Sequence, residues 1–318
     1  MIGLDVFLIP NLEDWKMSVA TVRLLEDSGF NGVWIPDSPP THWRDPYVTL
    51  ALLARETSRI KLGTGVTNPV TRHASVTAGA IANIEHVAPG RAVLGIGAGD
   101  AAVRAAGLKP ATMKELAAYV AEARKWLGDR GIFVPVYQSG SGPRALDTAG
   151  RIADGVLISV GTHPALIDKA RERVRLSARA AGRDPESIKL TFVVHFALSH
   201  DEEAARRAAK PMAARKALDL EWHAEFIGSE LEYLRADAKL LAIEYDFHNH
   251  FSPDAPHNKF VTDALIDALV IAGAPEQCLE RIRAMESCGV TSIALFPSGN
   301  RRQESIEILS REVVPALR

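Results

Sequence analysis

Short runs in which nearly every position is apolar alternate along this chain with longer stretches whose apolar positions recur every three to four residues. The first pattern suits strands buried on both faces and the second suits helices with one buried face, so the alternation predicts a parallel sheet wrapped by helices. The predicted strands are Ile2–Ile9, Asn31–Ile35, Ile60–Val66, Arg91–Ile96, Val134–Gln138, Gly155–Ser159, Leu190–Leu198 and Ser292–Phe296. Helix starts are readable between them. Asn11 precedes a helix with Glu13 and Asp14 in its first turn and an end near Gly29, and Ser187 and Asp201 introduce later ones. Eight strands, each followed by a helix, predict an α/β chain closed into a (β/α)8 TIM barrel rather than a doubly wound open sheet. No linker, composition break or fixed-period repeat divides residues 1–318, which therefore read as a single domain. The longest departure from the alternation is Met212–Thr262, placed before the eighth strand and read as a lid or interface insertion.

Composition narrows the partners. With 47% hydrophobic and 24% charged residues in 318, the chain falls outside the membrane and disordered classes. A formal net charge of -2 with interspersed signs gives no pull toward nucleic acid or anionic lipid, leaving a small-molecule substrate as the expected partner. The start, MIGLDVFLIPNLEDW, carries neither a basic leader nor a long apolar run, which makes a cytoplasmic protein the expectation. Cys278 and Cys288 share one predicted helix and have no Cys or His at metal spacing, so packing is their expected role.

In a barrel of this kind the chemistry lies on the loops after the strands. Asp37, in Pro36-Asp37-Ser38-Pro39-Pro40, puts a carboxylate at the end of the second strand. The third runs through Gly63-Thr64-Gly65-Val66-Thr67-Asn68-Pro69, where glycines permit close approach of a ligand or, equally, a barrel corner. Gly95-Ile96-Gly97-Ala98-Gly99-Asp100 lacks the third glycine of the dinucleotide fingerprint, and no glycine run continues into a P-loop. The remaining reading is a tight turn that aims N–H groups and the Asp100 carboxylate at a ligand. Ser139-Gly140-Ser141-Gly142-Pro143 opens a helix, where exposed N–H donors and the helix dipole suit a phosphate. Thr162 and His163 open the next helix and add donors, unless Thr162 serves as its N-cap. His248, His250 and His257 suggest a metal, but Asp246 is the only adjacent carboxylate and a loop facing solvent or substrate is the preferred reading; no metal is expected. Asp5, midway along the first strand, is a carboxylate facing into a barrel, which needs a partner or a use and predicts a perturbed pKa.

Gly65-Val66-Thr67-Asn68-Pro69, Thr71-Arg72-His73, Gly90 through Asp100, Gly142-Pro143, Ala149 through Val156 and Ala272-Gly273-Ala274-Pro275-Glu276 together resemble the bacterial-luciferase-like superfamily of flavin- and deazaflavin-dependent oxidoreductases. The nearest likeness is to its coenzyme F420-dependent methylenetetrahydromethanopterin reductases. The resemblance implies a non-prolyl cis peptide at Gly65-Val66 supporting the cofactor's central ring. It also implies a cofactor site lined by Asp37, Ser38, Gly65, Val66, Thr67, Asn68, Gly97, Ala98, Gly99, Asp100, Ser139, Gly140, Ser141, Gly142 and Thr162. Asp5 matches a carboxylate position where Glu is usual, and Ser38 stands where His often follows the Asp. The stretch from Gly97 to Asp100 carries no basic residue of the kind FMN-using relatives place near the fourth strand, which favours F420 over FMN. Hydride transfer would follow, with Asp5 or Asp37 as the catalytic group handling charge or a proton. The alternatives are an FMN-dependent monooxygenase and a flavin-binding protein without turnover. The resemblance also implies a homodimer.

Overall fold

The computed structural model describes residues 2–9, 14–38, 43–224, 228–246, 249 and 252–318, the side chains at 100 and 101 excepted. Its strands are β1 (Gly3–Phe7), β2 (Gly32–Ile35), β3 (Lys61–Thr64), β4 (Ala92–Ile96), β5 (Val136–Gly140), β6 (Gly155–Ile158), β7 (Lys189–Leu198), β8 (Ile271–Gly273) and β9 (Ser292–Pro297). All pair in parallel. The order β6-β5-β4-β3-β2-β1-β9-β7, with β6 joined back to β7, closes an eight-stranded barrel. The three-residue β8 is a ninth strand that the apolar pattern does not reveal, because Ala268 through Ala272 reads as one continuous apolar stretch that also takes in the end of the preceding helix. Phe192 pairs with Ile158 and Ile293, whereas Phe196 pairs with Ile271 and Pro297. Along one edge of β7, therefore, β6 takes the lower half and β8 the upper half.

The helices start where their side chains can satisfy the first free N–H groups. Asp14 is itself the N-cap of the helix Trp15–Asp27, accepting from Lys16 N at 2.8 Å, so that helix begins later than Asn11 and Glu13 suggested; those two residues lie outside the described set. Asp45 caps Pro46–Glu56, whose first residue is a proline that has no N–H to lose. Thr112 and Glu115 cap each other's backbone at Met113–Gly128. Ser187 closes a short 3-10 turn, Pro185–Ser187, capped by Asp184 instead of opening a helix. The helix Glu202–Trp222 starts at Asp201 as expected, but it runs unbroken past Met212, with Pro211 inside it, so the insertion branches from within a helix. Glu232–Glu244 and Asp263–Leu269 pack against that helix.

Two apolar clusters result. The larger lies between the barrel and its helices. The smaller fills the barrel with Phe7, Trp34, Val93, Leu157, Val193 and Ala294, against which Val66, Tyr137 and Phe296 pack. Large rings fit there because glycines face them: a Cβ on Gly63 would lie 2.4 Å from the Trp34 ring, and one on Gly155 2.5 Å from that of Tyr137. The rings run across the interior, with centroids 5.6 Å apart for Trp34 and Tyr137 and 4.8 Å for Phe7 and Phe296. Each large side chain so buried contributes about 1.5–3 kcal/mol. Cys278 is buried, and burial pushes its thiol up to about 12; Cys288 ends the helix Pro275–Ser287, and neither is in a disulfide.

Candidate active site

β2 delivers Asp37 two residues beyond its end, and the chain after β3 meets it there. Thr67 Oγ1 donates to Asp37 Oδ2 at 2.7 Å, and Arg72 Nε donates to the same oxygen at 3.2 Å. Arg72 is also paired with Asp45 and lies 4.9 Å from the centre of the Tyr47 ring. Asp37 is buried, and burial raises its pKa against the opposing pull of the Thr67 hydroxyl and the Arg72 guanidinium. Its second oxygen, Oδ1, is buried without a hydrogen-bond partner among the described residues. Ser38 beside it is buried too. Arg72 belongs to this site although its position in the sequence marked only a likeness.

The Gly65-Val66 peptide is cis, as the resemblance implied. On either side of it the chain stays attached to its neighbours: Gly65 N donates to Ile35 O at 2.7 Å, Thr67 N to Gly95 O at 3.0 Å and Gly97 N to Thr67 O at 2.9 Å. The pair therefore projects as a bulge from a sheet that is otherwise intact. Asn68 Oδ1 accepts from Val70 N and Thr71 N, and its buried Nδ2 has no partner among the described residues. The bulge is cleared on its β4 side: a Cβ on Gly97 would sit 2.9 Å from Val66 Cγ2, and Gly99, at φ +86°, turns its backbone where Asn68 packs. Ala98 O accepts from Ala111 N, and Asp100 begins a six-residue helix. The site thus gathers Asp37, Ser38, Gly65 to Asn68 and Gly97 to Gly99.

Next to β4 around the mouth, β5 extends two residues further than its pattern suggested. Ser139 and Gly140 are in the strand, paired with Leu157 and Ile158, so their N–H groups are not loop donors. Ser141 and Gly142 alone form the connection into the helix Pro143–Ile152, whose start no side chain caps. His223 packs against Gly142, with its Nε2 2.6 Å from where a Cβ would be, a contact that no motif in the chain signals. Thr162 is turned to another use. Its hydroxyl lies between Asp267 O (3.2 Å) and Arg281 Nη2 (2.8 Å), and its N–H and that of His163 both donate to Ala268 O. Its donors tie the chain to the helix Asp263–Leu269, and His163, not Thr162, is the N-cap of Pro164–Ala180.

Asp5 sits deeper than a strand-end residue. It pairs with Gly32 at the start of β2, two residues below the Phe7–Trp34 pair, and Trp34 Nε1 donates to its Oδ2 at 2.9 Å. Burial raises it to about 6, opposed by that indole and by Lys61. Phe7 and Trp34 therefore separate it from the mouth. At the mouth itself, His195 on β7 packs 4.9 Å from Phe296, and Lys216 Nζ donates to Ser159 O at 2.8 Å and to Asp219 Oδ2 at 3.0 Å. Of the histidine-rich segment, His248 and His250 lie outside the described residues. His257 is buried, accepts from Asp246 N through Nδ1 and stacks on Tyr245. Among the described residues no three His, Cys, Asp or Glu gather as a metal site, and no helix is long and apolar enough to cross a membrane.

Residues 5–292 match the luciferase-like monooxygenase family, and the chain belongs to it. Within that family the chain is similar to the 5,10-methylenetetrahydromethanopterin reductase of Methanolobus tindarius, with 34% identity covering 92% of this chain and 94% of the relative. It is 27% identical to the F420-dependent glucose-6-phosphate dehydrogenase of Nakamurella multipartita, covering 92% and 90%. The solved coenzyme F420-dependent tetrahydromethanopterin reductase from Methanopyrus kandleri has the same fold, with a TM-score of 0.78 and 24% identity over 100% of this chain and 99% of that one.

Proposed function

We propose that the protein is a coenzyme F420-dependent oxidoreductase that moves a hydride between the deazaflavin and a small organic electrophile, of the methylenetetrahydromethanopterin reductase kind. The observation that carries this reading is the pair of buried groups flanking the Gly65-Val66 bulge that have no partner among the described residues: the acceptor Asp37 Oδ1 and the donor Asn68 Nδ2. A heterocycle edge that offers both a carbonyl and an N–H would satisfy them, and the glycines of β4 leave room for a flat ring. The residues present therefore fit a deazaflavin, which when bound supplies hydride chemistry. The bare segment Gly97 to Asp100 supports F420 over FMN.

The chain's own residues have distinct tasks in this reading. Thr67 and Arg72 fix one oxygen of Asp37, so that the other is aimed and ready to accept. Asn68 is held by its own turn, which orients its amide. Ser141 and Gly142, at an uncapped helix start beside His223, are the donors for a phosphate. Asp5 acts as a positioning residue, holding the Trp34 indole beneath the site. Residues 1–318 act as one domain, with the part of 212–262 beyond the helix Glu202–Trp222 as a lid that sets specificity. The assembly is a cytoplasmic homodimer: Val48 and Val76 stand exposed on two neighbouring helices and supply apolar surface for a partner copy.

Equilibrium binding of F420 and of FMN to the purified protein, followed by fluorescence quenching, tests the cofactor. Tight F420 binding with weak FMN binding is expected. A preference for FMN would instead favour the monooxygenase reading, which the family's description supports and which oxygen uptake would reveal. Binding of neither would remove both and leave a barrel without its cofactor. Light scattering after size exclusion tests the dimer.

A further inference from the structure

Opposite the cofactor groups, the β6–β7 side of the mouth holds polar residues for which nothing so far gives a use. His195 follows Val193 by two along β7 and therefore points to the same face. Val193 belongs to the interior cluster, and the His195 ring rests on Phe296, so the imidazole caps that cluster on its open side. It is 8% exposed, and its Nδ1 is buried with no hydrogen-bond partner among the described residues. Lys216 approaches from the helix Glu202–Trp222. Its ammonium donates to Ser159 O, one residue past the end of β6, and to Asp219 Oδ2. Asp219 also accepts from Arg215 at 2.9 Å. A lysine has three N–H donors, and these contacts use two.

Seating a helix on a barrel does not require an ammonium, and burying one is unfavourable compared with an apolar side chain. The cost is understandable if the remaining donor has a ligand. We propose that Lys216 and His195 bind an anionic oxygen, a carboxylate or phosphate of the hydride acceptor, with Asp219 and Arg215 holding Lys216 in place. The placement in the catalytic mouth rests on the function proposed above; the anion site itself does not require F420. Burial, together with Lys216 and Arg215 and against the weaker pull of Asp219, lowers the His195 imidazole to about 3. It stays neutral at working pH, with one N–H to give. Binding the anion would add a charge-assisted hydrogen bond from each side chain, with the imidazole N–H donating to the anionic oxygen.

The test is an NMR titration of the full chain labelled with 15N-histidine, adding sodium acetate or sodium phosphate at constant ionic strength, the His195 signals being assigned by their absence from His195→Phe. A saturable shift is expected with at least one anion. Lys216→Met should weaken it about tenfold, the scale of one charge-assisted hydrogen bond, while F420 affinity changes less than about twofold. If that variant does not fold, loss of the saturable thermal stabilisation by the same anion in His195→Phe is the corresponding expectation. Absence of saturation up to roughly 100 mM, weaker than any useful subsite, overturns the proposal. So does displacement of the anion by saturating F420, which would give the site to the cofactor's phosphate. Saturable binding in a protein that fails to bind F420 would uphold the anion site and remove the cofactor reading.

Discussion

Asp5 is an acid held away from water, and replacing it by Asn shows what that costs. A carboxyl that ordinarily titrates near 3.8 is raised to about 6 by burial, with the Trp34 indole and Lys61 offsetting part of the effect. A tenfold change in proton affinity is worth about 1.4 kcal/mol, so keeping this group ionised in the folded state costs about 3 kcal/mol. The folded protein binds the proton more tightly than the unfolded chain. Its stability therefore declines as pH rises from about 4 to about 6 and stays reduced by that amount above. Asp5→Asn removes the charge and keeps an oxygen to accept from Trp34 Nε1. Urea unfolding should give nearly equal stabilities for the two proteins at pH 4, and a variant more stable by about 2–3 kcal/mol at pH 8, less whatever the new amide N–H groups lose by lacking partners. Taking the difference between the proteins cancels every other titrating group. Parallel stability curves across that range would refute the reasoning, because they would mean that Asp5 is solvated in the folded state. In the same variant turnover should fall while F420 binding is nearly unchanged, as befits a group beneath the floor of the site.

Asp37→Asn should weaken F420 binding about tenfold or more in a fluorescence titration, since it removes the charge that Arg72 and Thr67 hold; unchanged affinity would take Asp37 out of the site. Gly95→Ala should destabilise the fold by about 3 kcal/mol or more in chemical denaturation, because its Cβ would fall 1.9 Å from Thr64 O, a backbone atom of the neighbouring strand. Phe296→Ala should cost about 3–5 kcal/mol in the same assay by opening a cavity between Phe7 and His195.

What the sequence discloses and what it conceals follow from the range of the forces involved. The barrel strands are apolar on both faces, so their runs stand out without any knowledge of neighbours, and all eight of them were legible to within a few residues. β8 was not, since three residues inside a longer apolar stretch have no period of their own. β5 was displaced because Ser139 and Gly140 look like loop residues, yet in a strand packed beside Ala145 small size is what is needed. At the site, the strand-end motifs disclosed Asp37, Thr67 and Asn68. Arg72 joins Asp37 across 35 positions and Lys216 reaches Ser159 across 57, contacts that only the folded chain creates. Asp5 was recognisable as an inward acid, but its depth depends on register, which the spacing of residues along one strand does not contain.

The division of β7 between two partners separates two kinds of change. Its lower half closes the ring with β6, where every neighbour is load-sharing and a misfit is transmitted around the barrel. Its upper half borders β8, which is joined to the ring along one short edge, and the helix that brings Lys216 packs beside it. Loops and side chains exchanged in that upper part would alter which molecule is admitted while leaving the closure of the ring untouched, so it is the place to begin when redirecting this scaffold to a new substrate.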